Sequence, residues 1–113
     1  MEPASVIETL SALAQEHRLA VFRKLVEAGP DGMPAGAIAI ALGLPNSSLS
    51  FHLAQLRSAG LIKQERRHRS LIYRANYPAM NALLGYLTEN CCAGASCEAD
   101  STCAEPKSGR KSA

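Results

Sequence analysis

Along much of the chain the apolar residues recur at intervals of three and four, broken by short joints rich in Gly and Pro, which is the signature of amphipathic helices. Ser5-Val6-Ile7-Glu8 has the S-x-x-E form of a capping box and predicts a first helix running to about Ala14. A second helix is expected from about His17 to Ala28, with Leu19, Phe22, Leu25 and Val26 at helical spacing and Gly29-Pro30 as the stop. Asp31-Gly32-Met33-Pro34 reads as a loop of turn residues. Ala35 to Leu42 reads as a short third helix that offers Ile38 and Leu42 to the core and ends at Gly43. A tight connection, Gly43-Leu44-Pro45-Asn46, leads to a fourth helix capped by Asn46 or Ser47 and ending at Ala59-Gly60. Leu49, Leu53 and Leu56 share one face of it. Leu61–Arg67 and Leu71–Ala75 then read as two strands around a turn at His68-Arg69-Ser70. Pro78 opens a fifth helix, along which Met80, Leu83, Leu84 and Leu87 follow the i, i+3, i+4, i+7 pattern. Beyond Thr88 the aliphatics stop, and from about Ser101 onward a mobile tail is expected. The fold class predicted is mainly α with a small β-hairpin. Residues 1–90 form its folded domain and residues 91–113 a cysteine-rich segment and tail.

The 113 residues suit one small domain with little stability to spare, which dimerisation would supplement. An apolar content of 47% with only 4% aromatics favours helix over a β-sandwich. No apolar run is long enough to span a bilayer, and MEPASVIETL has neither a basic start nor an apolar stretch behind it. The expectation is a cytoplasmic protein with no membrane partner.

Charge sharpens the picture. Residues 1–45 hold three Lys/Arg against five Asp/Glu, and residues 77–113 hold three against four. Residues 46–76 hold six (Arg57, Lys63, Arg66, Arg67, Arg69 and Arg74) against Glu65 alone. That concentrated block suits a polyanion.

Two helices joined by a short Gly-containing turn make a helix-turn-helix, and a basic hairpin directly after it makes the winged variety. A helix entering the major groove needs short polar side chains at its start, which Asn46, Ser47, Ser48 and Ser50 supply. Arg57 lies further along the same helix. The tip Arg66-Arg67-His68-Arg69 would follow the sugar-phosphate backbone or reach the minor groove. Taken singly, each serine is an ordinary helix cap, and an arginine-rich hairpin is an ordinary edge that discourages strand pairing. In succession the two point to DNA. His52, beside the core position Leu53, reads as a packed, hydrogen-bonded histidine; His17 and His68 read as a helix-start and a wing-tip residue.

The run Ser50-Phe51-His52-Leu53-Ala54-Gln55-Leu56-Arg57-Ser58-Ala59-Gly60-Leu61-Ile62, followed by arginines and Tyr73, resembles the S-x-H-L-x-x-L-x-x-A-G-L-[IV] signature of the ArsR/SmtB metal-responsive repressors. Leu13-Ala14 and Arg18-Leu19 resemble that family's pattern where its first two helices meet. The resemblance covers about Val6 to Leu87. It implies a homodimer built on the first and last helices, which binds an inverted-repeat operator and releases it on loading with metal. The wing turn departs from the family by placing His68-Arg69 where many members have a Gly.

All four cysteines, Cys91, Cys92, Cys97 and Cys103, fall in the last 23 residues, a clustering that reads as a metal or redox site and not as a disulfide framework. The family's C-V-C arsenic site is absent, because Ala35 to Leu42 has no cysteine. Its zinc site across the last helices is absent too, because residues 77–90 have no histidine or aspartate. Cys91-Cys92-x4-Cys97 resembles the C-terminal Cys-Cys…Cys arsenic site of one branch of the family. Thiolates favour soft ions, and trivalent arsenic or antimony takes three of them. Cys103 would complete a four-sulfur zinc or cadmium site, replace Cys97, or stand aside. The same residues also allow a redox or reactive-sulfur switch, and a metal-carrying protein without an operator is a third reading. No acid/base pair or nucleotide loop marks an enzyme.

Overall fold

Pro3, and not the Ser5 box, sets the start of the first helix. Its fixed φ is already helical and the amide it lacks would have gone unpaired at a first helical position. The helix α1 accordingly spans Pro3–Leu13, with Glu2 at the N-cap and no side-chain cap. Ser5 lies inside the helix, and its carbonyl accepts from the buried Thr9 hydroxyl at 2.8 Å. The structure, a computed structural model, describes residues 1–94. It continues with α2 (Glu16–Ala28), β1 (Met33–Pro34), α3 (Ala35–Leu42), α4 (Asn46–Ser58), β2 (Ile62–Arg67), β3 (Ser70–Ala75), α5 (Tyr77–Leu87) and a 3-10 turn at Cys91–Gly94. Two compact units divide between Leu83 and Leu84, within α5.

The core of the first unit is built on aliphatic positions of α2, α3 and α4. Val21, Leu25, Ile38, Leu49, Leu56 and Leu61 are its largest fully buried side chains. Each contributes about 1.5–3 kcal/mol over leaving it in water. Leu19, placed on the apolar stripe of α2 by spacing, is exposed, and Val21 is buried in its stead. The buried arc of α2 is therefore turned from the expected one. Between α1 and α2, the Gln15 side chain caps α2 by accepting from the Arg18 amide at 2.9 Å. Arg18 returns across the joint, its Nε donating to the Ala12 carbonyl at 2.7 Å. A cation at the C-terminal end of a helix also meets the negative end of its dipole.

The loop expected at residues 31–34 contains a strand. Met33 and Pro34 pair with Tyr73 and Ile72, giving a three-stranded antiparallel sheet in the order β1-β3-β2. Two residues carry no readable alternation, and a proline fits only at an edge, which is where this strand lies. Gly32 makes the approach feasible. At φ 68° a Cβ would overlap the Tyr73 carbonyl oxygen and crowd the Ile72 and Arg74 side chains.

The hairpin closes one residue tighter than expected. Arg67 pairs with Ser70, leaving the two-residue loop His68-Arg69. Only His68 has positive φ, at 57°, which is the sign pattern of a type II′ turn, where glycine is the usual first residue. Met80 is half-buried and Leu83 buried, but Leu84 and Leu87, which share their spacing, are exposed at 52% and 54%.

Gly32→Ala is expected to destabilise the fold by at least about 2 kcal/mol, combining left-handed strain with the clash at Tyr73. His68→Gly relieves strain in a loop that touches no core, and its gain is up to about 1 kcal/mol. Urea unfolding midpoints at unchanged m-value check both.

Candidate nucleic-acid interface

The axes of α3 and α4 meet at 113°, across the turn at Gly43-Leu44-Pro45. Gly43 allows that turn with a left-handed backbone (φ 67°) from which its amide reaches the α3 carbonyls. Leu49, His52, Leu53 and Leu56 hold the inner side of α4, while Asn46, Ser47, Ser48 and Ser50 are all exposed. The expected cap is not used. Pro45 occupies the N-cap position with extended backbone, Asn46 is already the first helical residue, and no side chain caps the helix. The ordinary employment of Ser and Asn at a helix start is therefore absent here, and their hydroxyl and amide groups face outward.

Arg57, in the last turn of α4, links the helix to the hairpin. Its Nη1 donates to Gln64 Oε1, and Gln64 Nε2 donates in turn to the Tyr73 hydroxyl at 2.8 Å. Gln64 and Tyr73 are directly paired across β2 and β3. Sequence reading singled out Arg57 for the interface, named Tyr73 only within the family resemblance, and passed over Gln64. Their only signal as its partners was the pairing of two side chains one strand apart, which requires the register.

Arg66, Arg67, His68 and Arg69 are all exposed at the hairpin tip. Glu65, the one acid in this block, accepts from Arg74 Nη1 at 2.7 Å and lies 3.6 Å from Arg67 Nε. Among the described residues Arg66 and Arg69 form no ion pair, so their charge faces solvent undiminished.

His52 is packed as expected, at 8% exposure, but its Nδ1 finds no hydrogen-bond partner among the described residues. Its ring centroid lies 5.6 Å from that of His17. Burial first, then the electrostatic influence of nearby Arg18 and His17, pushes its pKa below the ordinary 6.5.

At the other end, α5 is followed by a turn in which Cys91 donates its amide to the Thr88 carbonyl at 3.0 Å. Asn90 and Cys92 both have positive φ, 57° and 58°. Cys91 is half-buried and Cys92 exposed. Cys97 and Cys103 lie outside the described residues, within which no three His, Cys, Asp or Glu side chains gather into a metal-binding group.

A helix pair bent near a right angle, an outward polar helix start and a basic-tipped hairpin define a winged helix-turn-helix, a class of DNA-binding protein. A helix-turn-helix domain family matches residues 13–65. The HTH-type transcriptional regulator YgaV of Escherichia coli (strain K12) is 32% identical over 83 residues, 74% of this chain and 82% of YgaV. Nodulation protein NolR of Rhizobium meliloti is 35% identical over 80 residues, 71% of this chain but only 63% of NolR, so just under two thirds of that relative is spanned. An ArsR-like transcriptional regulator from Rhodococcus sp. RHA1 superposes with a TM-score of 0.67 at 25% identity, over 74% of this chain and 76% of that one. The homodimeric winged helix-turn-helix DNA-binding domain of Mb0332 from Mycobacterium bovis superposes with a TM-score of 0.61 at 26% identity, over 77% and 81%. The chain belongs to the ArsR family of winged helix-turn-helix transcriptional regulators. No single helix among the described residues is long and apolar enough to cross a membrane.

Two expectations follow. With the native pKa of His52 below 6.5, the unfolded chain binds the proton first as the medium is acidified. The stability held by neutral His52 is complete above that value and declines as pH falls through it towards the native pKa. Melting temperatures between about pH 7.5 and about pH 5 should fall for the native chain and fall less for His52→Leu; parallel curves would refute the assignment. Separately, Arg66→Ala and Arg69→Ala should weaken binding to all duplex sequences alike. Each should also lower the slope of log K against log salt by about 0.9, read by fluorescence anisotropy at several salt concentrations.

Proposed function

We propose that this chain is a repressor that binds an inverted-repeat operator as a homodimer and lets go when its C-terminal thiolates take up trivalent arsenic or antimony. The observation that carries the inducer assignment is the placing of two adjacent cysteines, Cys91 and Cys92, on one short turn directly after α5, with Cys97 five residues further along. Adjacent cysteines are poorly placed for an ordinary disulfide with each other, but their sulfurs can share one large soft ion. Cys97 is the third ligand of the proposal, and Ala93-Gly94-Ala95-Ser96 gives a small-residue spacer for its return.

Dimerisation is supported by the homodimeric state of Mb0332 and by the exposed apolar residues Ile7 and Leu10 on α1 and Leu84 and Leu87 on α5. Exposed leucines on two helices have a use if a second copy covers them. In such a dimer two copies of α4 lie about one DNA turn apart. Ordering the segment after α5 around three thiolates would alter that spacing. A coupling of about 1–3 kcal/mol would lower operator affinity about 5- to 150-fold.

Arsenite titrated against a labelled operator duplex under reducing conditions is expected to release the protein, whereas peroxide without arsenite is not. Cys91→Ser, Cys92→Ser and Cys97→Ser should each stay bound in arsenite, and Cys103→Ser should still be released. X-ray absorption on the loaded protein should count about three sulfur neighbours around arsenic. Release by peroxide alone would replace the inducer with a thiol oxidation switch. Binding that ignores both would remove the sensing role and leave the DNA-binding one.

A further inference from the structure

Of the large apolar residues on α4, Leu49, Leu53 and Leu56 are buried and Phe51 is exposed, at 57%. Ser48 and Ser47 precede it by three and four residues, and Ala54 and Gln55 follow by three and four, all of them exposed. Phe51 therefore stands midway along the outward stripe of the helix, in line with the uncapped serines. Its neighbours Ser47, Ser48 and Ala54 are small and can cover little of it. The nearest ring, that of His52, meets it edge-on at 5.8 Å between centroids and leaves most of it uncovered. Holding a phenylalanine half in water forfeits roughly 1–2 kcal/mol of burial. The inner face of α4 is complete without it.

We propose that Phe51 is a specificity-determining residue, its ring meeting the C5-methyl group of a thymine in each operator half-site. The inference rests on the reading of α4 as the DNA-reading helix. In the major groove the base edges offer hydrogen-bond donors and acceptors and only one apolar group, the thymine methyl. The stripe matches that mixture. Ser47, Ser48 and Gln55 suit the hydrogen-bonding edges and the phosphates, and Phe51 suits the methyl. The place of Phe51 in line with Ser47 and Ser48, on a helix tied through Arg57 and Gln64 to the basic hairpin, favours DNA over another occupant for this ring.

The test uses the full chain. A random-duplex selection first yields the bound sequence, and each thymine in it is then replaced singly by uracil, which removes only the methyl. At one thymine per half-site the substitution is expected to weaken binding about fourfold, the worth of one methyl withdrawn from water. Phe51→Ala should bind the thymine operator more weakly and treat thymine and uracil at that position alike. Phe51→Leu should keep part of the discrimination. A wild-type chain indifferent to every uracil, or a discrimination that survives in Phe51→Ala, would overturn the proposal. So would a Phe51→Ala chain that turns monomeric by sedimentation while the native chain is dimeric, since the ring would then belong to a contact between copies. Failure to select any sequence strikes instead at the DNA-binding reading beneath it, and this proposal falls with it.

Discussion

Leu49, Leu53 and Leu56 lock one stripe of α4 into the core beside Leu25, Ile38 and Leu61, and a rigid helix has only one opposite side. Which residues can reach a partner is therefore decided by what is buried, with no further instruction needed. Once those leucines are inside, Ser47, Ser48, Phe51 and Gln55 must be outside. The neighbouring parts serve the same placement. Gly43 turns the chain into α4 at the needed angle, and Asn76 ties the hairpin's return to the helix end by donating to the Gly60 carbonyl at 2.8 Å. Tyr77 reaches across to the Val26 carbonyl at 3.1 Å, joining the start of α5 to the end of α2.

Much of this was legible from the order of residues, and what was not has identifiable causes. The third helix was delimited correctly because Gly43 is a local signal, requiring a left-handed backbone that few other residues accept. The hairpin was read as two strands around a turn despite a mixed strand propensity at Gln64 and Glu65, but its turn was read one residue too long, because nothing in His68-Arg69 announces a positive φ. The start of α1 shows two local signals in conflict, and Pro3 prevailed over the Ser5 box because a pyrrolidine ring leaves no choice of φ. The strand at Met33-Pro34 exists only through its pairing with a partner some forty residues away, which no local pattern encodes.

The site was legible to an uneven degree. The serines and the arginine tip could be found as composition in the right place. Phe51 was not singled out, although its spacing already sets it off the face shared by Leu49, Leu53 and Leu56; the structure shows it exposed. On α5 spacing misled outright, since Leu84 and Leu87 share the pattern of Leu83 and are exposed. His52 shows the converse. Its burial followed from its neighbour Leu53, but the unpaired Nδ1 depends on what the surrounding helices fail to offer. For the thiols, sequence gives all four and the described structure places two of them.

The bonds from Arg57 to Gln64 and from Gln64 to Tyr73 tie α4 to the hairpin through side chains that are already engaged before any partner arrives. The joint between helix and hairpin is thus preorganised, while the exposed side chains of Arg66 and Arg69 are still to be fixed on association. Capture of a duplex then resembles the docking of a rigid body and not coupled folding. Its heat-capacity change should reflect the surface covered, with little added from segments condensing out of a disordered state.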